Sequence, residues 1–190
     1  MFNLVIFGPP GAGKGTQSAK IIEKYNLAHI STGDMFRMHI TQETELGKKV
    51  KQLLADGLLV SDDITINMLE EEVNNNPDAD GFIFDGFPRT VPQAEALDTF
   101  LKEKGEQINL VLQLDVNEDE IKKRIAERQK ISGRADDSAD KLIKRIDEYF
   151  QKTVKVLPYY EEQGKLVKVK GVGEIEAIFG AICTEIDAKI

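Results

Sequence analysis

The sequence predicts an α/β protein in which helices cover both faces of a five-stranded parallel sheet. Short apolar runs, rich in β-branched and aromatic residues, alternate along the chain with longer segments of helical spacing. Each short run is apolar enough to be buried on both faces, as strands of a parallel sheet are. The predicted strands are 4–7, 27–30, 81–86, 110–115 and 166–169.

The first strand leads directly into a glycine-rich turn, 8–16, and a helix that ends near Asn26. Glycines allow successive backbone N–H groups to converge on phosphate oxygens without obstruction from Cβ atoms. The helix N-terminus adds its dipole, and Lys14 adds a positive charge. This arrangement predicts a P-loop that binds a nucleotide polyphosphate. Gly15 stands where P-loops commonly have the hydroxyl that binds Mg²⁺, and Thr16 follows it.

Residues 31–60 are predicted to form a helical insert between the second and third strands. The polar turn Ser31-Thr32-Gly33-Asp34 can cap a helix that starts near Met35. The helical spacing then continues to Ala55, with a break at 41–44.

The third strand ends in an acid, Asp85, at the position where P-loop proteins hold a carboxylate near the metal. A helix over 64–73, capped by residues 61–63, precedes the strand, and another helix begins at 87–90. The acid is followed by Gly86 and not by a second carboxylate of the kind with which ATPases activate water. The pattern therefore counts against a hydrolase and favours a phosphate acceptor other than water.

Two arginines, Arg124 and Arg128, lie four residues apart on one face of a predicted helix over 118–130. Such neighbouring cations repel each other unless anions lie between them. The spacing favours an anion site, and two solvated arginines are the alternative.

The C-terminal part contains a candidate lid, the polar loop 132–138. Helical spacing returns over 139–160, where Pro158 is expected to kink the last turns. A closing helix begins at Glu174, and Cys183 falls among its apolar positions, so we expect a buried thiol.

Composition restricts the class of protein further. With 190 residues, one well-buried domain is expected. A formal net charge of −8 argues against nucleic-acid polymers as partners. No apolar run approaches the roughly 18 residues that a membrane span needs, and the N-terminus lacks a signal-peptide layout, so we expect a cytoplasmic protein without a membrane partner. One cysteine allows neither a disulfide nor a cysteine-rich zinc site.

The basic residues are mostly lysines. This bias indicates that arginine is kept for places where a planar, bidentate donor is needed. The arginines are Arg37, Arg89, Arg124, Arg128, Arg134 and Arg145.

Several motifs occur in the order found in nucleoside monophosphate kinases, and over its whole length the chain closely resembles the adenylate kinase family. The combination is specific, although Gly-Lys-Gly-Thr alone would not be. The segment between Arg128 and Arg145 is similar to the short-lid form, without a long insert or cysteine finger. The motifs are the loop 8–16, Ser31-Thr32-Gly33-Asp34 with Arg37, Asp85-Gly86-Phe87-Pro88-Arg89 with Gln93, Arg124 with Arg128, Ser132-Gly133-Arg134, and Arg145.

The resemblance implies a P-loop NTPase fold and reversible transfer of the γ-phosphoryl group of ATP to AMP, which gives two ADP. The residues implied to bind ATP are Gly11, Ala12, Gly13, Lys14, Gly15 and Thr16 at the phosphates, with Arg128 and Gly173 at the adenine. Those implied to bind AMP are Thr32, Arg37, Leu58, Leu59, Val60, Gly86, Phe87, Pro88, Arg89, Gln93, Arg134 and Arg145. Those implied to stabilise the transferred charge are Lys14, Arg89, Arg124, Arg134 and Arg145.

The resemblance also implies a monomer whose two inserts, 31–60 and 129–138, close over the nucleotides and exclude water. Mg²⁺ is expected to be bound with ATP, held mainly by the nucleotide and water, with Asp85 acting through water. Zinc is not expected. We expect His29 and His39 to be structural, because no cysteine or carboxylate pattern surrounds them in the sequence.

Two other classes of P-loop protein are alternatives to this interpretation. Uridylate and cytidylate kinases share the implied fold, but they tend to carry Ala where this chain has Thr32, and they lack the adenine-reading glutamine that Gln93 resembles. A GTPase-like switch would need an Asn-Lys-x-Asp guanine motif, and the sequence has none.

Overall fold

The computed structural model describes residues 1–129 and 139–190, whose strands form one parallel sheet. The strand order is β2-β3-β1-β4-β5, so the first strand lies at the centre. The predicted fold class is confirmed. The strands are β1 (Phe2–Phe7), β2 (Ala28–Ser31), β3 (Gly81–Asp85), β4 (Leu110–Asp115) and β5 (Leu166–Lys170).

Helices connect the strands and cover both faces of the sheet. They are α1 (Lys14–Tyr25), α2 (Thr32–Thr41), α3 (Glu45–Ala55), α4 (Asp62–Asn74), α5 (Val91–Glu103), α6 (Glu118–Gln129), α7 (Ala139–Gln151), α8 (Val156–Glu161) and α9 (Ile175–Asp187). A 3₁₀ turn, Thr153–Lys155, separates α7 from α8.

The core has two layers because successive residues of each strand point to opposite faces of the sheet. Val5 and Phe7 of β1 pack on one face against apolar residues of α4, α5 and α8. Leu4 and Ile6 pack on the other face against α1 and α9. Since both sets are buried, the strand appears in sequence as a continuous apolar run.

The insert 31–60 contains α2 and α3 and has its own small core. Phe36, Val50, Val60 and Met68 are buried together, and the last of these joins the insert to α4. The two helices approach closely at Gly47, where a Cβ atom would lie 2.1 Å from the carbonyl oxygen of His39. Glycine therefore allows the tight turn between them.

Several helix boundaries differ from the sequence-based expectation. Helix α2 begins at Thr32, three residues before the expected start near Met35, because Ser31, the first residue of the polar turn, is its cap. The first helix begins at Lys14, inside the predicted glycine-rich turn 8–16, because Gly13 takes a left-handed conformation and ends the loop there. The expected kink at Pro158 is wrong. The long helix ends at Gln151, and Pro158 lies in the first turn of α8, where its missing N–H has no helical partner to lose.

The C-terminal helix buries Cys183, of which 8% is exposed, and this confirms the expectation of a core thiol. Within 1–129 and 139–190, no helix has the length and apolar composition that crossing a bilayer demands. The candidate lid 132–138 lies outside the described residues.

Candidate active site

A cavity of about 730 Å³ lies beyond the carboxyl ends of β1, β2 and β3, where ligands bind in open parallel sheets. The loop after β1, the start of α2 and the end of β3 contribute most of its lining, and α6 and α7 contribute one arginine each. The lining residues are Pro10, Gly11, Gly13, Lys14, Gly15, Thr16, His29, Ser31, Gly33, Asp34, Arg37, Asp85, Gly86, Arg89, Arg124 and Arg145.

The loop after β1 has the geometry of an anion-binding turn. Gly11 and Gly13 have φ angles of 86° and 94°, which residues with a Cβ rarely adopt. The Nζ atom of Lys14 donates hydrogen bonds to the carbonyl oxygens of Gly8 (2.7 Å) and Pro9 (3.2 Å) and so holds the turn closed. A Cβ atom on Gly15 would meet no protein atom within 4 Å. The first turn of α1 therefore presents its backbone directly to the cavity.

Asp85 and Asp34 are the acidic residues in the described lining of the cavity, and Asp34 forms an ion pair with Arg37. Burial by itself would raise the pKa of the Asp85 carboxyl group, but the imidazole of His29 and the charges of Lys14 and Arg89 outweigh burial, and the pKa lies below its ordinary value. His29 Nε2 lies 3.8 Å from Asp85 Oδ2. Asp85 is therefore a carboxylate at neutral pH.

The position of His29 was not indicated by the sequence, where no acid is near it. It lies on β2 in register with Ile83 of β3, two residues before Asp85, and on adjacent parallel strands such residues are diagonal neighbours. His29 and Asp85 can be recognised as neighbours only once it is known that β2 lies beside β3 in the sheet. His39 instead lies 3.0 Å from Thr44 Oγ1 and joins α2 to α3, as a structural histidine does.

A second, smaller pocket lies between the insert and the end of β3. Its lining residues are Thr32, Gly33, Phe36, Leu54, Leu58, Leu59, Val60, Thr65, Gly86, Arg89 and Gln93. The carbonyl oxygen of Gly86 accepts hydrogen bonds from Thr32 Oγ1 (2.9 Å) and Arg89 Nε (2.7 Å). This pocket brings together most of the residues that the sequence implied for AMP. Phe87 and Pro88 instead line an adjoining cavity of about 60 Å³, which they share with Leu59, Arg89 and Arg145.

Gln93 is held by a residue that the sequence analysis placed only in a helix cap. Its Oε1 accepts from the backbone N–H of Arg89 at 2.7 Å, and its Nε2 donates to Asp62 Oδ1 at 2.8 Å. Thr90 Oγ1 donates to the same carboxylate oxygen at 3.0 Å. Asp62 begins α4 and Gln93 lies in α5, so only the tertiary structure reveals this contact.

The arginines at the cavity already have partners in the protein. Arg37 forms an ion pair with Asp34, one turn before it in α2. Arg124 donates to Glu120 Oε1 (2.7 Å), the carbonyl oxygen of Ala12 (3.0 Å) and the carbonyl oxygen of Gly171 (2.8 Å). Arg124 therefore anchors α6 to the P-loop and to the turn after β5, and the anion beside it is a carboxylate of its own helix.

Three of the residues implied to bind ATP, Ala12, Arg128 and Gly173, are not among the described lining residues of the large cavity, and neither is Arg134, which the resemblance implied for AMP. Gly173 has a φ angle of 127°, and a Cβ atom on it would meet no protein atom within 4 Å, so it borders open space. The side chain of Arg128 and all of Arg134 lie outside the described residues. Ala12 is buried at 2% exposure, and its carbonyl oxygen binds Arg124.

The donor set at the cavity suits a hard cation that is bound together with a ligand. Among the described residues, no group of three or more His, Cys, Asp and Glu could hold a metal by itself. The cavity does contain the carboxylate of Asp85 and the hydroxyl groups of Thr16 and Ser31. Mg²⁺ is commonly bound in this way, by one carboxylate, waters and substrate phosphates.

Comparison with known proteins identifies the family. The model of the adenylate kinase family matches residues 6–165. The chain belongs to the adenylate kinase family. A curated adenylate kinase from Parabacteroides distasonis is 49% identical over 182 residues, which is 96% of each chain. Those from Bacteroides fragilis and Flavobacterium johnsoniae are 47% and 46% identical over 98% of this chain and 99% of their own. The family resemblance noted in the sequence is thereby confirmed.

Proposed function

We propose that the two cavities bind the two nucleotides of the family's reaction. Adenylate kinases transfer the γ-phosphoryl group of ATP reversibly to AMP and form two ADP, and as a member of the family this chain is such an enzyme. The observation that carries the proposal is that Gly33, Gly86 and Arg89 line both cavities. An acceptor phosphate at these residues would face a donor phosphate at the P-loop.

The large cavity is the proposed ATP site. The backbone of residues 11–16 would surround the donor phosphates, with the N-terminus of α1 adding its dipole. The bare Cα of Gly15 leaves room for a phosphate to approach. Lys14 would exchange its carbonyl contacts in the loop for phosphate oxygens. Arg128 and Gly173 are proposed to lie at the adenine.

The smaller pocket is the proposed AMP site. Leu58, Leu59 and Val60 would cover the base, and Gln93 would read its polar edge. Arg89 would bind the phosphate, together with Arg37, Arg134 and Arg145. The insert 31–60 is proposed to close over this nucleotide, and the lid 129–138 over ATP, so that water is kept from the reacting phosphate.

The chemistry needs alignment and charge neutralisation rather than a general base, because the acceptor phosphate is already an anionic nucleophile. Lys14, Arg89, Arg124 and Arg145 line one cavity and would surround the transferred group, with Arg134 added on closure. Adenylate kinases use Mg²⁺ with ATP, and the metal neutralises charge on the donor phosphates. We propose that Asp85 orients the waters of this Mg²⁺, and that the enzyme contains no zinc.

The remaining expectations concern the molecule in the cell. We propose a cytoplasmic monomer whose partners are ATP, AMP and ADP. The net charge of −8 supports the absence of nucleic-acid partners. Sedimentation of the purified protein tests the monomer.

A coupled assay with ATP and a panel of nucleoside monophosphates tests the proposed acceptor. We expect AMP to give the highest kcat/KM, because Thr32 and Gln93 line the acceptor pocket. Efficient use of UMP or CMP with poor use of AMP would contradict the proposal and favour a pyrimidine monophosphate kinase.

A further inference from the structure

We propose that Asp62 is a positioning residue that sets base specificity by fixing the side-chain amide of Gln93. The inference rests on the proposed function, in which Gln93 contacts the adenine of AMP. It adds a residue that lines neither of the two nucleotide cavities and acts through Gln93.

The amide of Gln93 is buried and bound at both ends. Only 2% of the residue is exposed. Its Nε2 atom donates to Asp62 Oδ1 at 2.8 Å, and its Oε1 atom accepts from the backbone N–H of Arg89 at 2.7 Å. Thr90 Oγ1, 3.0 Å from the same carboxylate oxygen, holds Asp62 in place.

These two contacts allow one orientation of the amide. An ionised carboxylate only accepts hydrogen bonds, and a backbone N–H only donates them. Rotating the amide by 180° would place Oε1 against the Asp62 carboxylate and Nε2 against the N–H of Arg89. Both contacts would then become repulsive. Because Gln93 is buried, water could not hydrogen-bond to the mismatched groups in their place.

The fixed amide has one N–H and one oxygen lone pair left for a ligand. Adenine offers a matching edge, in which the exocyclic amino group donates and the adjacent ring nitrogen accepts. In hypoxanthine and guanine, the corresponding position is a carbonyl oxygen, which accepts, beside a ring N–H, which donates. These bases would pair only with the rotated amide, so Asp62 favours AMP over 6-oxopurine monophosphates.

The variant Asp62→Asn tests this inference, because an asparagine of the same shape can donate as well as accept, so one of the two contacts that oppose the rotated amide is removed and only the backbone N–H of Arg89 still opposes it. Steady-state rates are measured with AMP and with IMP at saturating ATP. We expect the ratio of kcat/KM for AMP to that for IMP to fall about tenfold or more, mainly through the two KM values, with the KM for ATP unchanged.

The matched control is Asp63→Asn, in the same first turn of α4 but exposed. It removes the same charge from the same helix end, so it should leave the ratio unchanged. An unchanged ratio in folded Asp62→Asn, or an equal fall in both variants, would overturn the inference. If Asp62→Asn does not fold, Asp62→Ala, which removes the carboxylate that accepts from Gln93 Nε2, replaces it, and the ratio must fall in the same direction.

Gln93→Ala separates failure of the inference from failure of the proposed site. A higher KM for AMP in Gln93→Ala would support the proposed acceptor site. If the ratio of kcat/KM for AMP to that for IMP is unchanged in Asp62→Asn at the same time, the role of Asp62 is rejected. A normal KM for AMP in Gln93→Ala would reject both.

Discussion

Arg89 is held in place on two sides by protein atoms. Its Nε donates to the carbonyl oxygen of Gly86, and its backbone N–H donates to Gln93 Oε1. The rest of the guanidinium group lines both nucleotide cavities. The side chain is therefore oriented before a ligand binds, which reduces the entropic cost of binding a phosphate.

Arg89→Lys keeps the positive charge and removes the planar fork. A hydrogen bond to a charged group contributes about 1.5–3 kcal/mol. We therefore expect kcat/KM for AMP to fall by roughly one to two orders of magnitude, while the melting temperature stays within a few degrees of wild type. Steady-state kinetics and a thermal melt measure the two effects. Near-normal turnover would show that Arg89 does not bind the phosphate.

Asp85→Asn should lower stability in a pH-dependent manner. Burial raises the pKa of Asp85, but His29, Lys14 and Arg89 lower it further than burial raises it. A carboxylate whose pKa is lowered in the folded state stabilises that state above its unfolded pKa of about 4, and the effect is lost as the pH falls through the folded pKa. The difference in unfolding free energy between wild type and variant should be constant near pH 7 and shrink below about pH 4.

Urea titrations without nucleotide or metal, from pH 7 to pH 3, measure this difference. Asp78→Asn, which alters an exposed carboxylate, is the control. A difference that does not change across this range would mean that the ionised form of Asp85 adds nothing to stability.

At the scale of elements, the contact between α2 and α3 depends on a missing side chain. A Cβ atom at Gly47 would lie 2.1 Å from the carbonyl oxygen of His39. Gly47→Ala must therefore separate the helices of the insert, at a cost of about 1–3 kcal/mol or more. We expect a lower melting temperature and a higher KM for AMP, with the KM for ATP little changed.

Gly180→Ala is the matched control, because a Cβ atom there meets nothing within 4 Å in the middle of α9. It should stabilise the protein by about 0.5–1 kcal/mol through helix propensity alone. Equal effects of the two substitutions on the KM for AMP would show that the insert does not shape the acceptor site.

Elements were predictable where a local signal sets them. The buried strands, the break at 41–44 and the capping turn 31–34 all follow from patterns within a few residues, although the sequence did not select Ser31 as the cap. The end of the long helix at Gln151 was missed, although the β-branched residues Thr153, Val154 and Val156 that follow it are weaker helix formers. Pro158 does lie near a helix boundary, but it lies in the first turn of α8 and does not kink the long helix.

At the scale of the whole molecule, the sequence motifs located the cavity but not the contacts that tune it. The P-loop and the arginines are recognisable because their types and spacings follow from phosphate chemistry. The pairs His29 with Asp85 and Gln93 with Asp62 join residues more than 30 positions apart, and no periodicity connects such partners. They depend on strand order and on the approach of α4 to α5.

Mg²⁺ should be required for transfer, and zinc should not, because of how the molecule distributes its metal-binding groups. The described cavity offers a carboxylate and hydroxyl groups, which suit a hard cation shared with phosphates. The cysteine, Cys183, is buried in α9, and His39 is bound to Thr44, which leaves His29, whose ring faces Asp85, as the nitrogen ligand in the described lining. One histidine beside one carboxylate is too few protein ligands for a structural zinc site. We expect EDTA to abolish activity and added Mg²⁺ to restore it, while a zinc-selective chelator leaves rate and melting temperature unchanged. Metal analysis of the purified protein completes the test. Stoichiometric zinc, with activity lost on its selective removal, would require a zinc site that this arrangement does not predict.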